Sequence, residues 1–236
     1  MKKEVLLVKN ITREGPGILE EVLKERGIGY TIIDLNQGQI FPHLENYGAL
    51  VVLGGPDSAN DENEKIKNEL TRVDEAIKAN IPYLGICLGL QILVKAAGGK
   101  VIKSPTKEVG FIDHEGNKFS VDLTDEGKKD PLFGGLDYTF NVFHLHGETV
   151  ELTKDMVLLA VGKFCRNQIA KVGSNAYGIQ CHFELTSEMF ETWINEDSDL
   201  LQLDKEILRA HFEAIKAKYT TVGRQIFQNF LKIAGF

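Results

Sequence analysis

The chain is predicted to adopt an α/β fold, with a central, mostly parallel sheet, helices on both faces and antiparallel strand additions. Three observations predict it. Short apolar runs alternate with helix-period segments through the first hundred residues; strand-like pieces separated by turn residues follow from Val101; amphipathic helical spacing returns only near residue 187. The first pattern is the rhythm of β-α units, the second suits antiparallel pairing, and the third supplies covering helices.

The elements follow in order. EVLLVKN (4–10) reads as a strand, and a Gly-Pro-Gly turn then opens a helix near residue 16, with Ile18, Leu19, Val22 and Leu23 at helical spacing. YTIIDL is a strand, as is ALVVLGG (49–55). A charged helix is expected from about Glu62 to Ala79, then the strand IPYLGI and a helix from Leu88 to Ala97. VGFIDH, FSVDLT, TFNVFHLH, MVLLAV, NQIAKV and AYGIQCH are the expected antiparallel additions to the sheet. Helices are expected over 187–195, about 204–219 and about 221–234. No repeat, low-complexity tract or linker divides the chain, so residues 1–236 are expected to form a single domain.

Composition narrows the function classes. A formal charge of -7 without basic clustering argues against nucleic acid or an anionic membrane as the main partner. No apolar run reaches membrane-spanning length and the start lacks a signal-peptide pattern, so a cytoplasmic protein is expected. Cys87, Cys165 and Cys181 are too few and too irregular for a disulfide framework or a paired-cysteine zinc site.

GICLG places Gly85 and Gly89 two residues either side of Cys87, at the junction of an apolar strand and a helix. This is the spacing of a nucleophile elbow with cysteine in place of serine. At the N-terminus of the following helix, free N–H groups and the positive dipole end favour thiolate. The N–H of Leu88 would form half of an oxyanion hole. A buried structural cysteine fits the pentapeptide equally well; Cys165 and Cys181 lack such glycines and read as structural. In GIQCHFELT, His182 and Glu184 share one face of an extended chain, which suits a base oriented by an acid, although surface pairs of this kind are common. His144 and His146 of FHLHGET share a face without a matching acid and read as structural, or site-lining at best. A metal site from His144, His146 and His182 lacks a completing ligand, so no metal and no cofactor is expected.

In order along the chain, VLGGPDS, GICLGLQ, FHLHGET and GIQCHFE resemble four motifs of the class I (triad) glutamine amidotransferase family: its oxyanion loop, nucleophile, glutamine-holding segment and His-Pro-Glu motif. The match spans about residues 49–190, and AAGGKVIKSPTKEVG follows the pattern of the glutaminase domain of GMP synthase and its stand-alone relatives. The resemblance implies a flavodoxin-like sheet and a Cys87–His182–Glu184 triad that hydrolyses the glutamine side-chain amide through a γ-glutamyl thioester. It also implies Gly55 as the second oxyanion donor beside Leu88, and Gln91, Gly147 and Glu148 as glutamine-holding residues. Two departures stand out: Phe183 replaces the usual proline and is expected to loosen the turn, and Leu90 occupies a pocket-lining position where histidine or methionine is common. No synthetase domain accompanies the motifs, so any ammonia acceptor is expected on a separate subunit. The same triad would also serve a γ-glutamyl peptidase acting on peptides such as glutathione, and the same fold could carry a non-catalytic regulator or thiol sensor.

Overall fold

A computed structural model describes residues 4–236. Its eleven strands are β1 (Glu4–Lys9), β2 (Tyr30–Asp34), β3 (Tyr47–Val52), β4 (Tyr83–Ile86), β5 (Lys100–Gly110), β6 (Ser120–Leu123), β7 (Thr139–Asn141), β8 (His144–Glu151), β9 (Met156–Gly162), β10 (Asn167–Val172) and β11 (Ala176–Ile179). The α-helices are α1 (Ile18–Glu25), α2 (Glu64–Lys78), α3 (Leu88–Ala96), α4 (Ser187–Glu196) and α5 (Lys205–Ile233).

Nine strands form one sheet in the order β2-β1-β3-β4-β11-β10-β9-β6-β7. Pairing from β2 through β11 is parallel, and from β11 to β7 it is antiparallel. Alternation along β1 shows why both faces must be covered. Val5 and Leu7 belong to a core shared with Leu19 of α1 and Phe227 of α5, whereas Leu6 and Val8 join Ile66 of α2 and Leu93 of α3. A strand buried on both sides reads as a continuous apolar run, as EVLLVK does. Side-chain caps define the helix starts: Asn63 accepts from Ile66 N–H, Thr186 from Met189 N–H, and Asp204 from Glu206 and Ile207 N–H.

Three expectations change. β11, from AYGIQCH, lies inside the sheet, parallel to β4 and antiparallel to β10; it is the hinge strand between the two halves rather than an antiparallel addition. β5 and β8 leave the main sheet and form their own two-stranded ribbon. The two C-terminal helices are one 29-residue helix. The glycine in its middle serves contact rather than termination: a Cβ on Gly223 would lie 2.4 Å from the Phe183 carbonyl oxygen, so its absence lets α5 touch that backbone. Among the described residues no helix is long and apolar enough to cross a membrane.

The parallel half positions the site. The segments leaving the C-terminal ends of β1, β3, β4 and β11 gather at one edge of the sheet, the edge where open α/β sheets form ligand crevices. Beneath this edge Glu69 of α2 is fully buried, and neither carboxylate oxygen has a hydrogen-bond partner. Burial pushes its pKa up to about 8, partly opposed by Lys65. An acid raised in this way stabilises the fold less as pH climbs from its unfolded value near 4.5 towards 8. Urea unfolding of wild type and Glu69→Gln at pH 5 and pH 8 is therefore expected to show a relative gain for the variant at the higher pH. The gain should be on the order of 2–4 kcal/mol.

Candidate active site

Cys87 caps α3 with φ 53° and ψ -104°, a left-handed backbone rare for a residue with a side chain. Close packing imposes it. A Cβ on Gly85 would lie 2.3 Å from the Gly89 carbonyl oxygen, and one on Gly89 would lie 2.2 Å from that of Val52. With glycine at both positions α3 sits directly against β3 and β4, and the chain can enter it only through a sharp turn. Cys87 N–H anchors the turn to the Ile179 carbonyl of β11 at 2.7 Å. Cys87 is 7% exposed and lines a cleft of about 500 Å³. Its thiol points to the Leu145 carbonyl at 3.8 Å, and the Gln180 amide donates to the sulfur at 3.6 Å.

His182 and Glu184 lie beyond the end of β11, and His182 forms an isolated bridge with Phe143. Glu184 Oε1 stands 2.6 Å from His182 Nδ1. Nε2 has no hydrogen-bond partner, and His182 lines the same cleft as Cys87. Burial alone would lower the imidazole pKa. The Glu184 carboxylate, assisted by the Cys87 thiol, outweighs it and holds His182 well above its ordinary value. Trp193 packs edge-on against the ring at 5.1 Å, and Tyr219 of α5 donates to the His182 carbonyl at 2.9 Å.

Phe183 does not loosen this segment. Its N–H donates to Glu184 Oε2 at 3.0 Å, a bond no proline can make, while its buried ring stacks on Tyr219. Both carboxylate oxygens of Glu184 are thereby held. Leu90, expected in the pocket, is fully buried in the core instead.

The oxyanion and glutamine-holding candidates also reach this edge. Gly55 lines the cleft; Leu88 buries its side chain and offers only its N–H, in the first turn of α3 where no carbonyl of the same helix can meet it. Gln91, Gly147 and Glu148 line the cleft together. Gln91 Nε2 lies 3.4 Å from the Glu148 carbonyl, and Ser58 donates to the Glu148 carboxylate at 3.0 Å. Sequence reasoning missed Ser58, Gln180, Glu14 and Glu108. Ser58 ends the quoted VLGGPDS and Gln180 lies inside GIQCHFE, so the motifs contained them, whereas Glu14 and Glu108 carried no spacing signal.

The structure separates the histidines weighed as a metal set. His182 pairs with Glu184, while His144 and His146 gather around Glu108, with His146 Nε2 3.0 Å from Glu108 Oε2. One ligand atom from each of these three buried residues lies within 4.8 Å of the other two. His146 Nδ1 also lies 3.1 Å from the Glu148 carbonyl. Cys165 and Cys181 are buried, and burial pushes both thiols up.

The family model for class-I glutamine amidotransferases matches residues 17–198. The chain belongs to that family. It is 32% identical over 165 residues to the glutamine amidotransferase-like protein YfeJ of Salmonella typhimurium, covering 68% of this chain and 66% of that protein. It is 30% identical to the glutamine-hydrolysing GMP synthase of Thermosipho melanesiensis over 178 residues, which cover 73% of this chain and 31% of the synthase. The chain thus spans just under two thirds of the first relative and about a third of the second. The crystal structure of a glutamine amidotransferase from Thermotoga maritima superposes with a TM-score of 0.86 at 26% identity, covering 98% of this chain and 99% of that one. Membership of the class-I family supports hydrolysis of the glutamine amide as its general chemistry, and the fold is the α/β architecture of its structural neighbours.

The Phe183 contacts can be tested directly. Phe183→Pro removes both the N–H bond to Glu184 and a buried ring, and is expected to lower the unfolding free energy by about 3–5 kcal/mol. Phe183→Leu keeps the N–H and should cost about 1–2 kcal/mol. Urea denaturation of the two variants measures the difference.

Proposed function

We propose that residues 1–236 act as one glutaminase-type domain hydrolysing the side-chain amide of glutamine, or a related γ-glutamyl amide, with Cys87 as nucleophile. The observation that carries this reading is the convergence in one cleft of a thiol on a strained turn and a buried imidazole held by a carboxylate at 2.6 Å. Cys87 Sγ attacks the amide carbon as a thiolate whose proton already rests on His182, with Glu184 holding the imidazolium. The N–H groups of Gly55 and Leu88 receive the negative charge that develops on the carbonyl oxygen. Collapse forms the γ-glutamyl thioester and breaks the C–N bond, with His182 protonating the departing nitrogen. Water, deprotonated by His182, then releases glutamate, and Cys87 Sγ leaves as the thiolate beside the imidazolium. Gln91, Gly147 and Glu148 hold the α-amino and α-carboxylate end of the substrate; Ser58 fixes the Glu148 carboxylate.

The reading requires no cofactor. The ammonia acceptor would be met on a synthetase unit of the kind that lies outside the matched 31% of the glutamine-hydrolysing GMP synthase. A γ-glutamyl peptidase is the second reading. The cleft that favours it carries, apart from the Ser58–Gln91–Glu148 group, a further polar wall of Arg13, Glu14 and Asp197 that could face a leaving amine larger than ammonia. Rates on glutamine and glutathione separate the two readings.

Cys87→Ala should lose glutamine hydrolysis by on the order of 10⁴-fold or more. Mass spectrometry of wild type quenched with glutamine should find a γ-glutamyl adduct on Cys87, and full activity in the variant would reject the assignment. The pH profile offers an independent check. Glu184 holds the His182 pKa up, so imidazolium, the acid for the leaving nitrogen, persists through neutral pH. Glu184→Gln should therefore move the basic limb of kcat/KM to lower pH and reduce the maximal rate.

A further inference from the structure

Glu14 lies in the same cleft and takes part in none of these steps. It sits in the segment between β1 and α1, which is tied to the triad by the Ile18 N–H donating to the Glu184 carbonyl at 2.9 Å and by Trp193 Nε1 donating to the Arg13 carbonyl at 3.2 Å. Glu14 is 5% exposed. Its only ion pair among the described residues is with Arg13 at 4.0 Å, and Asp197 holds that guanidinium more closely, at 2.7 Å. A carboxyl so buried and so weakly partnered is costly to the fold unless something in the cleft meets it. Burial pushes its pKa up to about 7, with Glu184 and Asp197 acting in the same direction and His182 and Arg13 against it.

Its position says what could meet it. A Cβ on Gly54 would lie 2.5 Å from Glu14 Oε2, 3.2 Å from His182 Cε1 and 3.5 Å from Cys87 Cβ. Three groups from three different segments thus close around the Gly54 backbone, too tightly for a side chain there. Cε1 adjoins Nε2 in the imidazole ring, and Nε2 is the atom that must reach the departing nitrogen. The opposite, γ-glutamyl half of the substrate is served by Gln91 and Glu148, which bond to each other rather than to Glu14.

Resting on the glutaminase reading, we propose that Glu14 is the leaving-amine acceptor of this site: its carboxylate receives an N–H hydrogen bond from the departing nitrogen of the scissile amide. The electron balance is simple. The S–C bond forms, the C–N pair stays on nitrogen, and the new proton comes from His182; Glu14 transfers no proton and orients an N–H the nitrogen already carries. The site would then select γ-glutamyl amides over esters, whose leaving oxygen has no N–H to offer.

The test compares glutamine with glutamate γ-methyl ester, which form the same γ-glutamyl thioester. In Glu14→Leu the ratio of kcat/KM for glutamine to that for the ester should fall about 10- to 100-fold relative to wild type, the loss of one hydrogen bond to a charged group. Glu14→Gln keeps an acceptor oxygen and the side-chain shape, and should recover part of the ratio. An unchanged ratio in both variants, whatever their absolute rates, would overturn the assignment, because a merely structural role lowers both substrates together. Wild type inactive on both substrates would instead overturn the glutaminase reading and this inference with it.

Discussion

The contact between α3 and the strands beneath it constrains everything else at the cleft. Two glycines remove the Cβ atoms that would separate this helix from β3 and from its own turn, and the chain must then pass through a left-handed residue to enter it. A left-handed, non-glycine backbone costs on the order of 1–3 kcal/mol. The surrounding sheet offsets it through the bond from Cys87 N–H to β11 and the Tyr83 hydroxyl bond to the Gly89 carbonyl at 2.7 Å. The consequence is geometric: one thiol stands at a helix N-terminus, at the edge where the parallel strands end.

β11 links that thiol to its partners. By pairing with β4 in parallel register, Gly178 opposite Gly85 and Ile179 opposite Ile86, it delivers Gln180 and His182 to the Cys87 side of the sheet. Its antiparallel pairing with β10 on the other side joins the antiparallel half to the parallel half. Aromatic packing then immobilises the His182–Leu185 segment. Tyr219 bonds to the His182 carbonyl and receives the Leu185 N–H, and Phe183 contributes both a ring and a backbone donor. A phenylalanine in place of proline is thus compensated within this chain. The turn is held by hydrogen bonds to Glu184 rather than by a fixed φ.

Acidic groups near the cleft divide by partner. Glu184 is paired with His182 and with the Phe183 N–H, and Glu148 with Ser58, whereas Glu14 and Glu69 are buried with little to meet their charge. Burial pushes the pKa of both Glu14 and Glu69 towards neutrality. Glu69 lies under the sheet edge with no opening to the cleft lining, but Glu14 lines the cleft itself, which makes a ligand-facing role reasonable for one and a stability cost the consequence of the other.

Periodicity in the sequence was enough for the β-α rhythm of the first hundred residues, because strands buried on both faces and helices buried on one write different spacings into the chain. The ordered motifs determined the family and nominated Cys87, His182 and Glu184, since local turn chemistry at GICLG and the two-residue spacing of His182 and Glu184 are properties of short segments. Tertiary structure alone decided what depends on distant contacts. AYGIQCH read as an antiparallel strand because strand direction leaves no mark in composition; its partner β4 lies about ninety residues earlier. The break expected between 219 and 221 is absent: α5 runs on through Gly223, whose contact with the Phe183 backbone is non-local. Glu14 was silent for the same reason: a lone carboxylate just before a Gly-Pro-Gly turn becomes notable only when the Gly54 backbone brings it close to His182.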